Sequence, residues 1–196
     1  AIDIEQNVIG EHVGSQDQVA AAFGGFNIIE FFKDDRIIVQ PLTLRSSRIK
    51  KLEDSLVLFF TGISRTASQI AETQISNTPN KIKELDKMKQ MVDQAVEILC
   101  EESTPLDEFG KLLDESWKIK RSITQKISTD LIDSVYDRGI NAGALGGKLL
   151  GAGGGGFIMF FTPPNKKQKL INELSDLLHV PFHSESMGSH IVHYSQ

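Results

Sequence analysis

Between Lys148 and Phe157 the chain reads KLLGAGGGGF, which places five glycines within positions 151–156 and follows them at once with Phe-Ile-Met-Phe-Phe. Glycine lacks a Cβ, so it reaches positive φ and admits close neighbours, at an entropic loss that a fold avoids without cause. Such a run is a phosphate cradle, a device for close packing or a slack linker. The last is disfavoured, because apolar strand residues follow without a polar spacer. Gly151, Gly153 and Gly156 satisfy G-x-G-x-x-G, but that dinucleotide pattern needs a strand before it and a helix after it. Here a helix is expected before the run and a strand after it, and the acid nearest the required distance, Glu173, falls in a helix. The P-loop pattern fails twice in AGALGGKLL, with Ala142 in place of the first glycine and Leu149 in place of the metal-binding hydroxyl.

The chain has 196 residues, long enough for one large or two small domains, and its 40% hydrophobic and 24% charged residues belong to an ordinary globular protein. A net charge of −5 gives no overall attraction to nucleic acid or anionic membrane. Cys100 stands alone, so no internal disulfide forms; a reducing, cytoplasmic setting and a buried place on a helix are expected for it. The longest apolar runs are too short to span a bilayer. His179 and His183 are separated by Pro181, which breaks the helix that would align them, and His190 and His193 have no supporting cysteine or acid, so no metal residue is assigned.

Two strands, 26–32 and 36–42, are joined by the polar turn Lys33-Asp34-Asp35, and SLVLFFTG forms a third that ends at Gly62. Thr66 to Gln69 fits a capping box opening a helix to about Ile75. Ile82, Leu85, Met88, Val92, Ala95 and Leu99 then make an apolar stripe on a second helix. A third helix starts near Pro105 and turns Leu106, Phe109, Leu113 and Trp117 inward; a fourth runs from Thr129 to Arg138 and stops at Gly139. After the strand FIMFF come a helix over 163–178 and short strands near Pro181 and Ile191. This alternation predicts an α+β layered domain with the early hairpin in a neighbouring unit, the boundary lying between Ser47 and Asp54.

A second motif, GSQDQVAAAFGG from Gly14 to Gly25, sets one acid among small residues ahead of an apolar helix segment and a Gly-Gly turn. With KLLGAGGGGF it resembles the second and third signature motifs of the GHMP kinases, and FFTGISRTASQI, Phe59 to Ile70, is similar to the matching segment of the branch that holds the heptose 7-phosphate kinases. The family's first motif, whose Gly-Leu-Gly-Ser-Ser loop wraps the ATP phosphates, has no counterpart here, and 13 residues precede Gly14. The resemblance therefore implies the C-terminal portion of such a kinase. Residues 1–50 would be the remnant of the N-terminal domain, and 51–196 a ferredoxin-like C-terminal domain with added helices.

That resemblance implies ATP-dependent phosphorylation of a sugar or sugar-phosphate hydroxyl, with Mg²⁺ bridging the ATP phosphates and with the missing kinase half as a partner. Asp17 would be the catalytic base that faces the acceptor hydroxyl. Gly14, Ser15 and Gln16 would line the acceptor with Gly62 and Arg65, whose fork of donors suits a sugar phosphate; a solvated place in the first turn of a helix is the other reading of Arg65. Gly151, Ala152, Gly153 and Gly154 would form the floor beside the phosphates. Lys148 either adds positive charge there or covers a strand end. The alternative to an enzyme is a non-catalytic ligand-binding or interaction module built on the same fold.

Overall fold

The computed structural model describes residues 1–63, 67–124, 126–151 and 153–194, so Arg65, Ala152 and the Thr66 cap lie outside the described residues. It divides into two compact units, one of residues 1–44 with 183–196, the other Arg45–Phe182.

In the first unit a short π-helical segment, Ile4–Ile9, stops at Gly10 in the left-handed region. Helix α1 (Gln16–Phe23) follows and buries Val19. Strands β1 (Asn27–Phe31) and β2 (Ile37–Pro41) pair antiparallel from Asn27↔Pro41 to Phe31↔Ile37. Asp35 takes positive φ in the turn between them, a position that Asp tolerates better than most residues. The chain's last segment returns to this unit: the Gly25 amide donates to the Glu185 carbonyl at 2.8 Å and the Ser189 amide to Ala21 at 3.0 Å. No strand forms at Ile191, where one was expected. Ile191 and Val192 are exposed, and their β-branched preference has no ladder to join among the described residues.

In the second unit, helix α2 (Ser46–Ser55) leads into β3 (Leu56–Phe60), and α3 (Ala67–Asn77), α4 (Ile82–Cys100), α5 (Asp107–Ile123) and α6 (Asp130–Ala142) follow. Strands β4 (Gly146–Leu149) and β5 (Phe157–Phe161), helix α7 (Lys167–Glu173) and β6 (Leu178–His179) complete it. The four strands are antiparallel in the order β4-β5-β3-β6, and the β-helices-β-β-α-β chain order around that sheet is the ferredoxin-like arrangement. One sheet face, Val57, Phe59, Leu149, Ile158 and Phe160, packs on Trp117, Ile132, Val135, Tyr136, Leu170 and Leu174. Strand β6 is short because Pro181 has no N–H to extend the ladder.

Several local expectations change for tertiary reasons. The span of the anticipated boundary is helix α2, anchored by Arg48, whose buried guanidinium donates to the carbonyls of Ile98, Leu99, Glu101 and Thr104. It thereby satisfies carbonyls that the C-terminal end of α4 would leave open. Leu99 and Met91 take the inner face of α4, so Cys100 is exposed rather than buried, and Val92 is half exposed. The last helix is shorter than expected, beginning after the turn Pro164–Lys166.

Strand β4 is absent from the sequence reading because Gly146-Gly147 carries no strand preference. It lies against α5 because Gly146 has no side chain: a Cβ there would stand 2.0 Å from the Gly110 carbonyl oxygen of α5. Helix α6 likewise passes through Gly139 and ends four residues later at Gly143, φ 114°. Gly139 is bare where the buried Phe160 ring presses on the helix, and an added Cβ would stand 2.4 Å from it. Gly139→Ala gains helix propensity of about 1 kcal/mol, which overpacking against a ring that cannot retreat outweighs. Urea denaturation is expected to show a net loss of about 1–2 kcal/mol for this variant.

Candidate functional site

The glycine run is the connection of a β-hairpin: β4 enters it and β5 leaves it, with the Leu150 amide donating to the Phe157 carbonyl at 2.8 Å. A strand, not the expected helix, therefore precedes the run. The conclusion against a dinucleotide loop stands for a stronger reason, since no helix N-terminus follows to receive a pyrophosphate.

Two neighbouring segments hold the loop. The Gly154 amide donates to the Ile127 carbonyl at 2.9 Å, from the α5–α6 connection, and the Gly156 amide donates to Ile63 at 2.8 Å. The Gly156 carbonyl accepts from both the amide and the hydroxyl of Thr61, each at 2.8 Å, and Lys120 Nζ donates to the Gly151 carbonyl at 2.7 Å. Gly62, in the turn after β3, is thus brought beside the run.

The glycines of this cluster serve two ends. A Cβ on Gly153 would lie 2.8 Å from the Ile127 carbonyl oxygen, and one on Gly155 would lie 2.5 Å from that of Ile63, so these two are required by packing. Gly62, Gly151 and Gly156 have positive φ (+72°, +73° and +92°) with nothing within 4 Å of an added Cβ. They face open space. The opening is steric, since no side chain stands in the way of an incoming group, while the Gly156 amide and carbonyl are already bonded to Ile63 and Thr61.

Lys148 lies on β4 opposite Met159 and is half buried. Its alternation with the buried Leu149 puts it on the sheet face away from the main core. Burial alone holds its ammonium below the ordinary lysine value, with no carboxylate opposing that effect.

The other predicted residues lie in the first unit. Ser15 takes the N-cap position of α1 with no side-chain cap bond, Gln16 opens the helix, and Asp17 stands in its first turn, where the helix dipole favours a negative charge. The Asp17 carboxylate is exposed and makes no hydrogen bond or ion pair among the described residues. Gly14 has open space around it. Gln6 Nε2 donates to the Val13 carbonyl at 2.9 Å and the Ser15 hydroxyl at 3.3 Å, fixing the approach to the helix. Sequence reasoning missed Ile63, Lys120 and Ile127, which hold the glycine loop through backbone groups or a distant lysine and so leave no motif. Among the described residues no three His, Cys, Asp or Glu side chains gather, and no helix is long and apolar enough to cross a membrane.

Residues 95–180 match the family model described as the C-terminal domain of GHMP kinases. The chain is 38% identical over 177 residues to the D-glycero-alpha-D-manno-heptose 7-phosphate kinase of Campylobacter jejuni, covering 89% of this chain and 51% of that protein. A D-glycero-D-manno-heptose 1-phosphate kinase structure from Bacteroides thetaiotaomicron superimposes with a TM-score of 0.72 at 31% identity, over 98% of this chain and 53% of that one. The mevalonate kinase of L. major shares the fold at 20% identity, TM-score 0.64, over 82% of this chain and 47% of its own. The chain spans about half the length of these relatives.

Two outcomes follow from the loop geometry. Gly151→Ala meets only the left-handed backbone penalty, about 1 kcal/mol, whereas Gly153→Ala adds a collision with the backbone of Ile127 and should lose about 2–3 kcal/mol in chemical denaturation. For Lys148, the depressed folded value means that the unfolded chain keeps its proton to higher pH than the folded one. Its burden on stability is therefore full at neutral pH and lifts as pH rises through the folded value toward about 10.5. Lys148→Met is expected to be more stable than the parent at pH 7, with the difference shrinking by pH 10 in paired denaturation curves.

Proposed function

We propose, from the GHMP kinase C-terminal domain that this chain carries, that it takes part in ATP-dependent phosphorylation of a hydroxyl on a sugar phosphate, a heptose phosphate being the best-supported acceptor. The single observation that carries this reading is the loop at Gly151–Gly156. Its glycines divide into those packed against Ile63 and Ile127 and those turned to open space beside Gly62, as a built phosphate-side floor requires. The identity to heptose-phosphate kinases supports the acceptor class.

In this reaction the acceptor oxygen attacks the γ-phosphorus of ATP, the bond from that phosphorus to the β,γ-bridging oxygen breaks, and ADP leaves. Asp17 takes the proton from the acceptor hydroxyl. Its free carboxylate, held in the first turn of α1, has no competing partner among the described residues to hold it away from that task. Gly14, Ser15 and Gln16 present the acceptor-side backbone, and Gly62 with Arg65 contributes to sugar-phosphate recognition. Gly151, Ala152, Gly153 and Gly154 give the phosphates a floor of small residues. Mg²⁺ would accompany ATP and neutralise charge on its phosphates, and no residue of this chain is proposed as its ligand. A cytoplasmic setting supplies ATP and suits the single exposed thiol.

The test is ADP release with a panel of sugars and sugar phosphates, using the polypeptide encoded by the reading frame that contains this sequence. Turnover with a heptose phosphate is expected, and Asp17→Asn should lower kcat by about 10²–10⁴-fold with little change in KM. Binding without turnover across the panel would favour the non-catalytic module, and full activity in Asp17→Asn would remove the base from the mechanism.

A further inference from the structure

A separate pocket of about 480 Å³ opens in the second unit where the C-terminal ends of α3 and α5 meet, lined by Thr73, Asn77, Arg121, Ser122, Ile123, Thr124 and Lys126. Arg121, Lys126 and Thr124 bring two cations and a hydroxyl to it, while the Ser122 hydroxyl donates to the Ile119 carbonyl at 2.7 Å and Asn77 Nδ2 to the Ile123 carbonyl at 3.3 Å. No carboxylate lines it among the described residues. Its two cations and hydroxyl suit an anionic ligand.

Arg121 is set in place before any ligand arrives. Its Nη1 donates to Asp133 Oδ1 at 2.6 Å, Asp133 also accepts from the Ser128 hydroxyl at 2.6 Å, and the guanidinium lies over the rings of Trp117 (5.9 Å) and Tyr136 (5.8 Å). Asp133 occupies one edge of the fork, and the side chain still lines the pocket. Lys126 is exposed and makes no ion pair among the described residues. Arg121, Lys126 and Asp133 together leave one net positive charge. Thr124 is buried, and its Oγ1 accepts from the Lys126 amide at 3.4 Å, so its own proton remains to be donated. The Ile127 amide donates to the Thr124 carbonyl at 3.3 Å, and the Ile127 carbonyl holds Gly154.

We infer that this pocket binds a phosphate monoester, with Arg121, Lys126 and Thr124 as its donors, and that Ile127, bonded to both Thr124 and Gly154, links it to the glycine loop. An anchored guanidinium, an exposed ammonium and a hydroxyl are the donor set that a phosphate dianion takes. The inference deepens the kinase reading and rests on it only for the source of the phosphate, either a sugar-phosphate acceptor or a nucleotide.

Direct binding to the full chain tests it without turnover. Calorimetric titrations with inorganic phosphate, a hexose 6-phosphate and ADP are run at constant ionic strength, with chloride as control. Emission of Trp117, the only tryptophan in the sequence, reports locally because Arg121 touches its ring. Saturable binding in the millimolar range or tighter is expected for the phosphates, with an emission change. Lys126→Gln, which disturbs no packing, should weaken binding about fivefold or more, and Arg121→Lys should do so by removing the fork. Tighter binding of hexose 6-phosphate than of ADP assigns the acceptor as the source, and the reverse order assigns the nucleotide. Absence of saturable binding, or affinities unchanged in both variants, overturns the inference. Intact phosphate binding beside absent ATP turnover would instead locate the failure in the kinase reading.

Discussion

The hydrogen bond from the Gly154 amide to the Ile127 carbonyl, with its counterpart from Gly156 to Ile63, is the constraint on which the candidate site depends. Without these two bonds a run of five glycines is the most disordered chemistry a chain can offer. With them, the loop between β4 and β5 is tied on one side to the α5–α6 connection and on the other to the turn after β3. Each tie is made where a side chain would not fit, at Gly153 against Ile127 and at Gly155 against Ile63. Buried backbone groups must find partners, and here the partners are also the walls. The remaining open glycines are thereby held in place without filling the space in front of them.

The same device recurs through the second unit. Gly146 lets β4 lie on the backbone of α5, and Gly139 lets the Phe160 ring press into α6. Close approach fixes the open end of the hairpin that carries the loop, where Gly146 pairs with Phe161 and Gly147 with Phe160. Arg48 works in the opposite sense, bringing a long buried cation to the carbonyls at the end of α4 and so joining α2 to the helical layer. Hydrophobic contact supplies the attraction between sheet and helices, and these polar and steric details select one arrangement from the many that would bury similar area.

Much of this was legible in the sequence. The change from period-two strands to helical stripes indicated an α+β domain, FIMFF was a buried strand, and the three motifs in order carried the resemblance to the GHMP kinases, whose C-terminal domain model matches residues 95–180. What was missed is instructive. Strand β4 has no strand propensity and exists because its glycines admit a neighbour, and helix α6 outlasts its glycine for the same reason; both are tertiary effects that a local reading cannot contain. Cys100 is a favoured core residue left outside because Leu99 and Arg48 occupy the inner side. Of the candidate site, Gly62 and the glycine run were named and stand together. Ile63, Lys120 and Ile127 act through backbone carbonyls or from a distant helix, and such groups have no signature in residue type.

Amide hydrogen exchange of the glycine loop tests most directly whether it is a built floor or a slack connection. The account predicts that the Gly154 and Gly156 amides, bonded to Ile127 and Ile63, exchange at least about a hundredfold more slowly than an unstructured glycine peptide, and that Gly153→Ala accelerates Gly154. Exchange of both amides at the unstructured rate in the parent protein would contradict it.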